Sequence, residues 1–334
     1  RFAKDQSGAL LVFDGGVYKQ RAEELVREEV IEVLKSWKEI KKWKGTTGAD
    51  VVKFIRDSKI PCVWERPPLD EINVLNGILN VKTGVLREHD PEFLSVVQIP
   101  VNYDRDARCP AWLEFLNSTL AEDLHRLVWQ YIGLLLIPDM SYQKAVLFFG
   151  PGGNGKSVLI DAILALLGRS NVSSKTLHQL EGNRFSAADL VGRLANVSSD
   201  LPSQHLADSS VFKAIVGGDE IDAERKHQPA FKFRPFARLL FSANTFPRSG
   251  DATDGFFRRW IVIPFEKSFE GIERRNKHDL DEALRDSVEL SGALNMALQG
   301  LASLRRSGFH QSATAHEAAT AFRETTDPLS IWLQ

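Results

Sequence analysis

The sequence predicts an α/β protein: a mostly parallel sheet flanked by helices, preceded by a mainly helical N-terminal domain with one small β-hairpin. Residues 145–149 form a continuous apolar run, as expected of a strand buried on both faces. Residues 157–167 are almost wholly apolar and end at Gly168, a residue typical of a helix C-terminus. We expect an N-terminal domain (1–138), a core (139–270) and a C-terminal helical segment (271–334).

The segment between that strand and that helix fits the phosphate-binding pattern G-x-x-x-x-G-K-[ST]. Glycines let successive backbone N–H groups point at phosphate oxygens, and the helix N-terminus adds positive potential. Lys156 is predicted to bridge the β- and γ-phosphates of ATP, and the Ser157 hydroxyl to hold Mg²⁺. The alternative is a glycine-rich turn that happens to carry a lysine, and the flanking strand and helix favour the nucleotide site. The predicted ATP-binding residues are Gly150, Pro151, Gly152, Gly153, Asn154, Gly155, Lys156, Ser157 and Val158.

The composition limits the classes of partner. The chain has 334 residues, enough for two or three domains, and its 42 Lys and Arg nearly balance its 44 Asp and Glu. Any nucleic-acid surface must therefore be local. Cys62 and Cys109 lie outside any metal-binding spacing and are typical of free thiols in a reducing compartment. Because no apolar run approaches eighteen residues and no signal peptide is evident, we expect an intracellular protein without membrane contact.

The N-terminal third is predicted to be mainly helical. Apolar residues recur at helical spacing over residues 21–43, which predicts a long amphipathic helix whose charges form a solvated face rather than a binding patch. The other predicted elements are a strand and turn at 10–16, a helix at 49–56, a hairpin at 78–86, a strand at 94–99 and helices at 111–119 and 122–136.

Polar residues next to three predicted strands are candidates for the rest of an ATPase site. Asp200 follows a strand at 194–199 and would support Mg²⁺ and orient water, although such an aspartate is often a turn residue. Asn244 ends a strand at 237–243 and would contact the γ-phosphate and the attacking water; a turn-forming asparagine is the alternative. Arg258 and Arg259 precede a strand at 260–264 and are either surface residues or an arginine finger.

A basic run lies between these strands. Residues 225–250 contain six Lys or Arg and no Asp or Glu, with phenylalanines between the charges. The alternation at residues 231–234 predicts one arm of a hairpin, with 220–223 as the other arm. Arg225, Lys226 and His227 then lie near its tip, and Lys232 lies on its second arm. Such a tip can bind a phosphate backbone without sequence preference, or it can be an ordinary solvated hairpin.

The order of these motifs resembles that of superfamily 3 helicases. More narrowly, it is similar to the helicase part of phage and plasmid primase-helicases, relatives of a poxvirus enzyme. The motifs are the glycine loop, the strand-end acid, Gly217-Gly218-Asp219, Arg225-Lys226-His227, and residues 239–244 and 256–265. Residues 79–84, 103–104 and 112–116 resemble the helical region that precedes the ATPase in that family.

The resemblance implies an AAA+-like P-loop fold and an ATP-dependent DNA helicase that replicates a phage, plasmid or integrated element. Such enzymes are usually hexameric rings on single-stranded or forked DNA, with a primase domain or partner, in the cytoplasm of a prokaryotic or phage-infected cell. The resemblance implies these roles: Lys156 and Ser157 in nucleotide binding, Asp200 as metal-associated acid, Asn244 as sensor, Lys226 and His227 as DNA contacts, and Arg259, with Arg258 in reserve, as arginine finger.

One departure from the family concerns the water-activating base. Ser198 and Ser199 precede Asp200, where many relatives carry a second carboxylate or a glutamate, so the identity of the base stays open.

Residues 327–334 are expected to begin a winged-helix domain. Two other functions stay open: a P-loop phosphotransferase acting on a small molecule, and an ATP-assembled DNA-binding or origin-melting protein without motor activity.

Overall fold

The computed structural model describes residues 1–5, 8–64, 66–201, 206, 208–226, 230–247, 249–251, 253–267, 269 and 276–326. The chain begins with an antiparallel sheet of β1 (Phe2–Lys4), β2 (Leu10–Asp14) and β3 (Val17–Lys19). Helices α1 (Ala22–Ser36) and α2 (Gly45–Asp57) pack on this sheet around Leu10, Val12, Ala22, Val26 and Val52.

The predicted helix over 21–43 is shorter than the apolar spacing indicated. α1 ends at Ser36 because Lys38 takes a left-handed conformation (φ 61°), and the Glu39 amide donates back to the Leu34 carbonyl at 2.8 Å. This arrangement closes a helix end and reverses the chain. A 3-10 turn (Ile40–Lys42) then leads into α2.

A second antiparallel sheet follows, consisting of β4 (Glu71–Val74), β5 (Gly77–Asn80) and β6 (Leu86–Arg87). The predicted hairpin at 78–86 is confirmed, with β4 as an additional strand. The predicted strand at 94–99 is wrong: apart from a single bridge from Ile99 to Val74, this stretch is irregular. The predicted helices at 111–119 and 122–136 are confirmed as α3 (Pro110–Thr119) and α4 (Glu122–Leu135).

A five-stranded parallel sheet forms the centre of the chain. Its strands are β7 (Ala145–Phe149), β8 (Val172–Ser173), β9 (Ala195–Ser198), β12 (Arg238–Ala243) and β13 (Trp260–Pro264), in the order β13-β7-β12-β9-β8. The connections contain α5 (Lys156–Leu167), α6 (Leu177–Gly182), α7 (Arg184–Ala188), α8 (Ser210–Gly217), α9 (Asp254–Phe257) and the hairpin β10 (Ile221–Ala223) and β11 (Phe231–Phe233).

Both faces of the central sheet are buried. On β7, Val146 and Phe148 point into one hydrophobic cluster, while Ala145 and Leu147 point into another on the opposite face. The first cluster includes side chains of α3, α4 and α5, and the second includes side chains of α6, α8 and α9. The mixed α/β prediction with a parallel sheet flanked by helices is therefore confirmed, and the apolar run at 145–149 reflects burial on both faces.

Three helices complete the described chain: α10 (Lys277–Leu284), α11 (Ser287–Ser307) and α12 (Ala313–Thr326). α11 packs closely on α4 because glycines lie at the contact. A Cβ on Gly133 would lie 2.1 Å from the Ala297 carbonyl oxygen, and one on Gly300 2.2 Å from that of Trp129. One hydrophobic cluster thus contains residues from both sides of the predicted domain boundaries at residues 138 and 270. The boundaries themselves stay predictions.

None of the helices in the described part of the chain combines the length and apolar character that a membrane crossing needs. Residues 327–334, the predicted beginning of a winged-helix domain, lie outside the described residues.

Candidate functional site

The glycine loop (residues 150–157) connects β7 to α5 at the carboxyl edge of the parallel sheet. Two of its glycines are required by close contacts as well as by backbone conformation. Gly150 has φ 147°, and a Cβ there would lie 2.3 Å from the Phe265 carbonyl oxygen. Gly155 has φ 93°, and a Cβ there would lie 2.9 Å from Thr119 Cγ2. The loop therefore packs between the end of β13 and α3 in a conformation that excludes side chains at both positions.

Asn154 and Lys156 hold the loop together from inside. The Asn154 side chain is 1 % exposed, and its Nδ2 donates to the Phe265 carbonyl oxygen at 2.6 Å. Lys156 Nζ donates to the carbonyl oxygens of Gly150 (2.6 Å) and Pro151 (2.7 Å) and to Asn154 Oδ1 (2.9 Å). All three ammonium hydrogens thus have partners within the loop, and burial lowers the pKa of Lys156.

A cleft of about 430 Å³ opens beside the loop, within the size range of small-molecule sites. It brings together four residues that lie far apart in the sequence: Lys156 and Ser157 of the loop, Asp200 after β9, and Asn244 after β12. They meet because β12 lies between β7 and β9, so the carboxyl ends of all three strands reach the same edge. Of the predicted nucleotide-binding residues, 152–158 line the cleft; Gly150 and Pro151 bind the Lys156 ammonium instead.

A second wall of the cleft consists of residues that sequence analysis missed. They come from α3, from α10 and from the chain between β13 and α10: Phe115, Ser118, Thr119, Phe269, Lys277 and Leu280. Lys277 forms an ion pair with Asp161 of α5 at 2.8 Å, which connects α10 to α5, and a second pair with Asp281 within α10 at 2.6 Å. No local signal marked these residues, because five of them lie in helices of ordinary pattern and Phe269 lies in an irregular segment.

The donor groups in the cleft suit Mg²⁺. Ser157 and Asp200 are both exposed there and offer hard oxygen ligands. Mg²⁺ is usually held by one or two protein oxygens, with water and substrate phosphates completing its octahedron. Within the described ranges, no group of three or more His, Cys, Asp and Glu side chains forms a closed metal cage. Ser157 and Asp200 therefore fit a Mg²⁺ ion that has only two protein ligands.

Arg258 and Arg259 do not line the cleft of their own chain. β13 pairs with β7 in the register Trp260 to Ala145, so both arginines precede the amino end of the sheet. At about 3.3 Å per residue, the length of the strand places them roughly 16 Å from the carboxyl edge. Burial, and next the charge of Arg258, lower the pKa of Arg259, whose guanidinium donates to the Gly255 carbonyl oxygen. The finger role of either arginine stays a prediction.

The predicted hairpin is confirmed as β10 and β11, which pair antiparallel with Ile221 opposite Phe233. Lys226 is exposed near the turn, and the guanidinium of Arg225 lies over the Phe231 ring at 5.4 Å. Lys232 is exposed and lies 3.8 Å from Glu220. His227, the second predicted tip residue, lies outside the described residues, and DNA binding by this hairpin stays a prediction.

The basic surface is smaller than the charge count of residues 225–250 indicated. Arg238 begins the central strand β12 and is 1 % exposed. Its Nε donates to the Leu134 carbonyl oxygen at 3.2 Å, and burial lowers its pKa to about 10. This arginine connects the sheet to α4 and does not add to a charged surface, although it counts among the six basic residues of the run.

Two sequence families match parts of the chain. Residues 148–259 match a "Family of unknown function (DUF5906)", and residues 2–121 match the family described as "D5 N terminal like". A protein of Acanthamoeba polyphaga mimivirus named "Putative helicase L207/L206" is 24% identical over 218 residues, which is 60% of this chain. The chain spans about a fifth of that relative, since the match covers 22% of its length.

Solved structures share the fold at low identity. "The A form apo structure of NrS-1 C terminal region-CTR" matches with a TM-score of 0.60 and 14% identity, over 98% of this chain and 71% of that one. A second structure of the region, residues 305–718, matches with a TM-score of 0.61 and 13% identity, over 98% and 72%. These structures show a shared fold, while the "D5 N terminal like" family and the mimivirus relative agree with the resemblance that the motif order indicated.

Proposed function

We propose, from the premise that this chain is a phage and viral primase-helicase-like protein, that it is the ATP-hydrolysing motor of a DNA helicase. The observation that carries this proposal is the meeting of Lys156, Ser157, Asp200 and Asn244 in one cleft beside the glycine loop. A strand-loop-helix unit that binds phosphates, with a carboxylate and an amide on neighbouring strand ends, is what phosphoryl transfer to water requires.

Each residue has a distinct role in the proposed reaction. Backbone N–H groups of the glycine loop and the N-terminus of α5 bind the phosphates. Lys156 exchanges its loop oxygens for phosphate oxygens and stabilises the charge that develops on the transferred phosphoryl group. Ser157 and Asp200 would hold Mg²⁺, which would supply further neutralisation of phosphate charge, and Asn244 would orient the attacking water beside the γ-phosphate. We propose that Asp200, which lines the cleft, also accepts the proton from that water.

The position of Arg259 supports a site shared between two subunits. An arginine at the amino edge of the sheet is too far from its own cleft to contact a phosphate there. In a closed ring with head-to-tail contacts, different surfaces of neighbouring subunits meet, so Arg259 of one subunit can lie beside the cleft of the next. We therefore propose a ring, with six subunits as in the family it resembles, in which each ATP lies between two chains.

The hairpin is the proposed contact with single-stranded DNA. It lies between α8 and β12 in the chain and packs on α7, and its exposed Lys226 and Lys232 are suited to phosphate oxygens. Such contacts carry no base information, so binding to this hairpin is independent of sequence. ATP hydrolysis at successive subunit contacts would then move the hairpins along one strand.

Subunit mixing tests the shared site. Lys156→Ala and Arg259→Ala chains should each be nearly inactive, since arginine fingers contribute about 10³ to 10⁵ in rate. Mixed together, they should recover part of the DNA-stimulated ATPase activity, because some contacts then combine an intact Lys156 with an intact Arg259. Absence of recovery at every mixing ratio would contradict the shared site. Normal activity of Arg259→Ala alone would favour a phosphotransferase that needs no partner.

A further inference from the structure

The turn between α1 and α2 presents a basic, aromatic surface that the proposed motor does not use. Residues 35–44, which we name the lysine turn, contain five lysines and one glutamate in a chain whose net charge is −2. Trp37 lies in this turn with 70% of its surface exposed, and Ile40 is 41% exposed. Single exposed hydrophobic residues are common on protein surfaces, and Trp37 differs from them in the number of lysines around it.

The backbone of the lysine turn is held in one compact conformation. The Lys38 amide donates to the Lys35 carbonyl oxygen at 2.9 Å while Lys38 takes the left-handed conformation that usually belongs to glycine. The 3-10 turn that follows is closed by the Trp43 amide, which donates to the Ile40 carbonyl oxygen at 2.9 Å. The lysines are therefore gathered on a short, reversed segment rather than spread along a helix.

Structural roles explain only some of these side chains. Lys35 lies in the last turn of α1, where it complements the helix dipole, and it pairs with Glu32 at 2.7 Å. Lys42 pairs with Glu39 at 3.1 Å. The remaining lysines, at positions 38, 41 and 44, form no ion pair with any residue that the structure describes.

The two tryptophans of the turn also differ in whether they have a structural role. Trp43 packs on α2: a Cβ on Gly48 would lie 3.0 Å from its Cη2 atom, so its ring fixes the turn to the helix. Trp37 has no comparable packing and leaves most of its ring available to a ligand. One tryptophan thus stabilises the turn, and the other is left free to stack.

We propose that the lysine turn is a binding site for single-stranded nucleic acid, separate from the β10–β11 hairpin. An exposed aromatic ring can stack on an unpaired base of any identity, and lysines around it neutralise the adjoining phosphates. The bases of a duplex are already stacked on one another, so the site favours a single strand. Trp37 supplies the stacking surface, and Lys38, Lys41 and Lys44 supply the charge.

Fluorescence anisotropy of the whole chain with a labelled oligo-dT tests this site, without ATP so that hydrolysis plays no part. Trp37→Ala should weaken binding about 5- to 150-fold, the range expected for loss of one stacked base. Phe54→Ala is the matched control, because Phe54 is an equally exposed aromatic (74%) on the neighbouring helix α2, and its binding should match the unchanged chain. Changing Lys38, Lys41 and Lys44 to Gln should flatten the log–log salt dependence by about 0.7 for each phosphate that is no longer neutralised.

Repeating the measurement in a Lys226→Ala, Lys232→Ala background separates this site from the proposed motor. Trp37→Ala should still lower the remaining affinity there, even if the hairpin substitutions prove to have no effect and the proposed hairpin contact fails. Unchanged oligo-dT binding by Trp37→Ala would overturn the inference. So would an equal loss of binding to a duplex of the same length. If Trp37→Ala loses binding to phosphatidylserine vesicles but keeps its DNA binding, the lysine turn is a membrane-binding surface and the inference is overturned as well.

Discussion

Replacing Asn154 with alanine removes the side chain that ties the glycine loop to the end of β13. The buried amide donates to the Phe265 carbonyl oxygen at 2.6 Å and accepts from Lys156 Nζ at 2.9 Å. Both partners lose a hydrogen bond, and the Phe265 carbonyl is left inside the protein without one. A neutral hydrogen bond contributes about 0.5–1.5 kcal/mol and one to a charged group about 1.5–3 kcal/mol, so we expect a loss of roughly 2–4 kcal/mol.

Urea unfolding of Asn154→Ala measures this loss, and titration with a fluorescent ATP analogue in Mg²⁺ measures its consequence for the loop. We expect nucleotide affinity to fall with stability, because a loosened loop must be ordered again on binding. Asn117→Ala is the matched control: Asn117 is exposed on α3, and its replacement should change stability by less than about 0.5 kcal/mol. Asn154→Ala that unfolds like the control and binds nucleotide normally would refute the anchoring role.

Three further outcomes are expected. Gly300→Ala should lower stability in urea despite alanine's helix propensity, because its Cβ would lie 2.2 Å from the Trp129 carbonyl oxygen. Gly45→Ala is the control and should not lower stability, because no atom lies within 4 Å of its Cβ. Asp200→Asn should bind ATP but lose most hydrolysis, and normal hydrolysis would reassign the role to another acid. Burial raises the pKa of Glu181 to about 8, so unfolding releases a proton and stability falls as pH rises from about 4.5 to 8. Relative to the unchanged chain, Glu181→Gln should therefore raise the free energy of unfolding more at pH 8 than at pH 5. An equal rise at both pH values would contradict burial of the protonated acid.

The central sheet could be predicted from the sequence because its strands are apolar runs with clear ends. The runs at 145–149, 237–243 and 260–264 are buried on both faces, and alternation marked the β10–β11 hairpin. The elements that carry Lys156, Asp200 and Asn244 followed from the same signals. Their meeting in one cleft depends on strand order, which local pattern does not encode.

The errors have physical causes that a sequence does not display. Val97 and Ile99 are buried as a strand would require, yet they pack from an irregular segment that lacks a ladder partner for most of its length. Lys38 ends α1 in a conformation that the helical spacing of apolar residues gave no reason to expect. Arg238 carries a charge that counted toward a surface, but its place at the start of a central strand buries it.

The second wall of the cleft and the contact between α4 and α11 depend on residues far apart in the chain. Thr119 faces Gly155 across the loop, and Lys277 reaches the cleft from a helix more than a hundred residues away. Gly133 and Gly300 look unfavourable as helix residues until the close approach of the two helices is seen. Such positions are determined by tertiary packing and can be found only when the fold is known.

ATP hydrolysis by Lys156→Ala tests the central claim most directly. Steady-state phosphate release with Mg²⁺, with and without single-stranded DNA, should fall by at least about a hundredfold, because water cannot replace the missing charge beside the phosphates. Lys277→Ala, which removes another lysine of the same cleft, should lose far less, since Lys277 lies on α10 outside the glycine loop and its partners are the carboxylates of Asp161 and Asp281. A correctly folded Lys156→Ala chain that hydrolyses ATP at the unchanged rate would show that the glycine loop is not the site of catalysis.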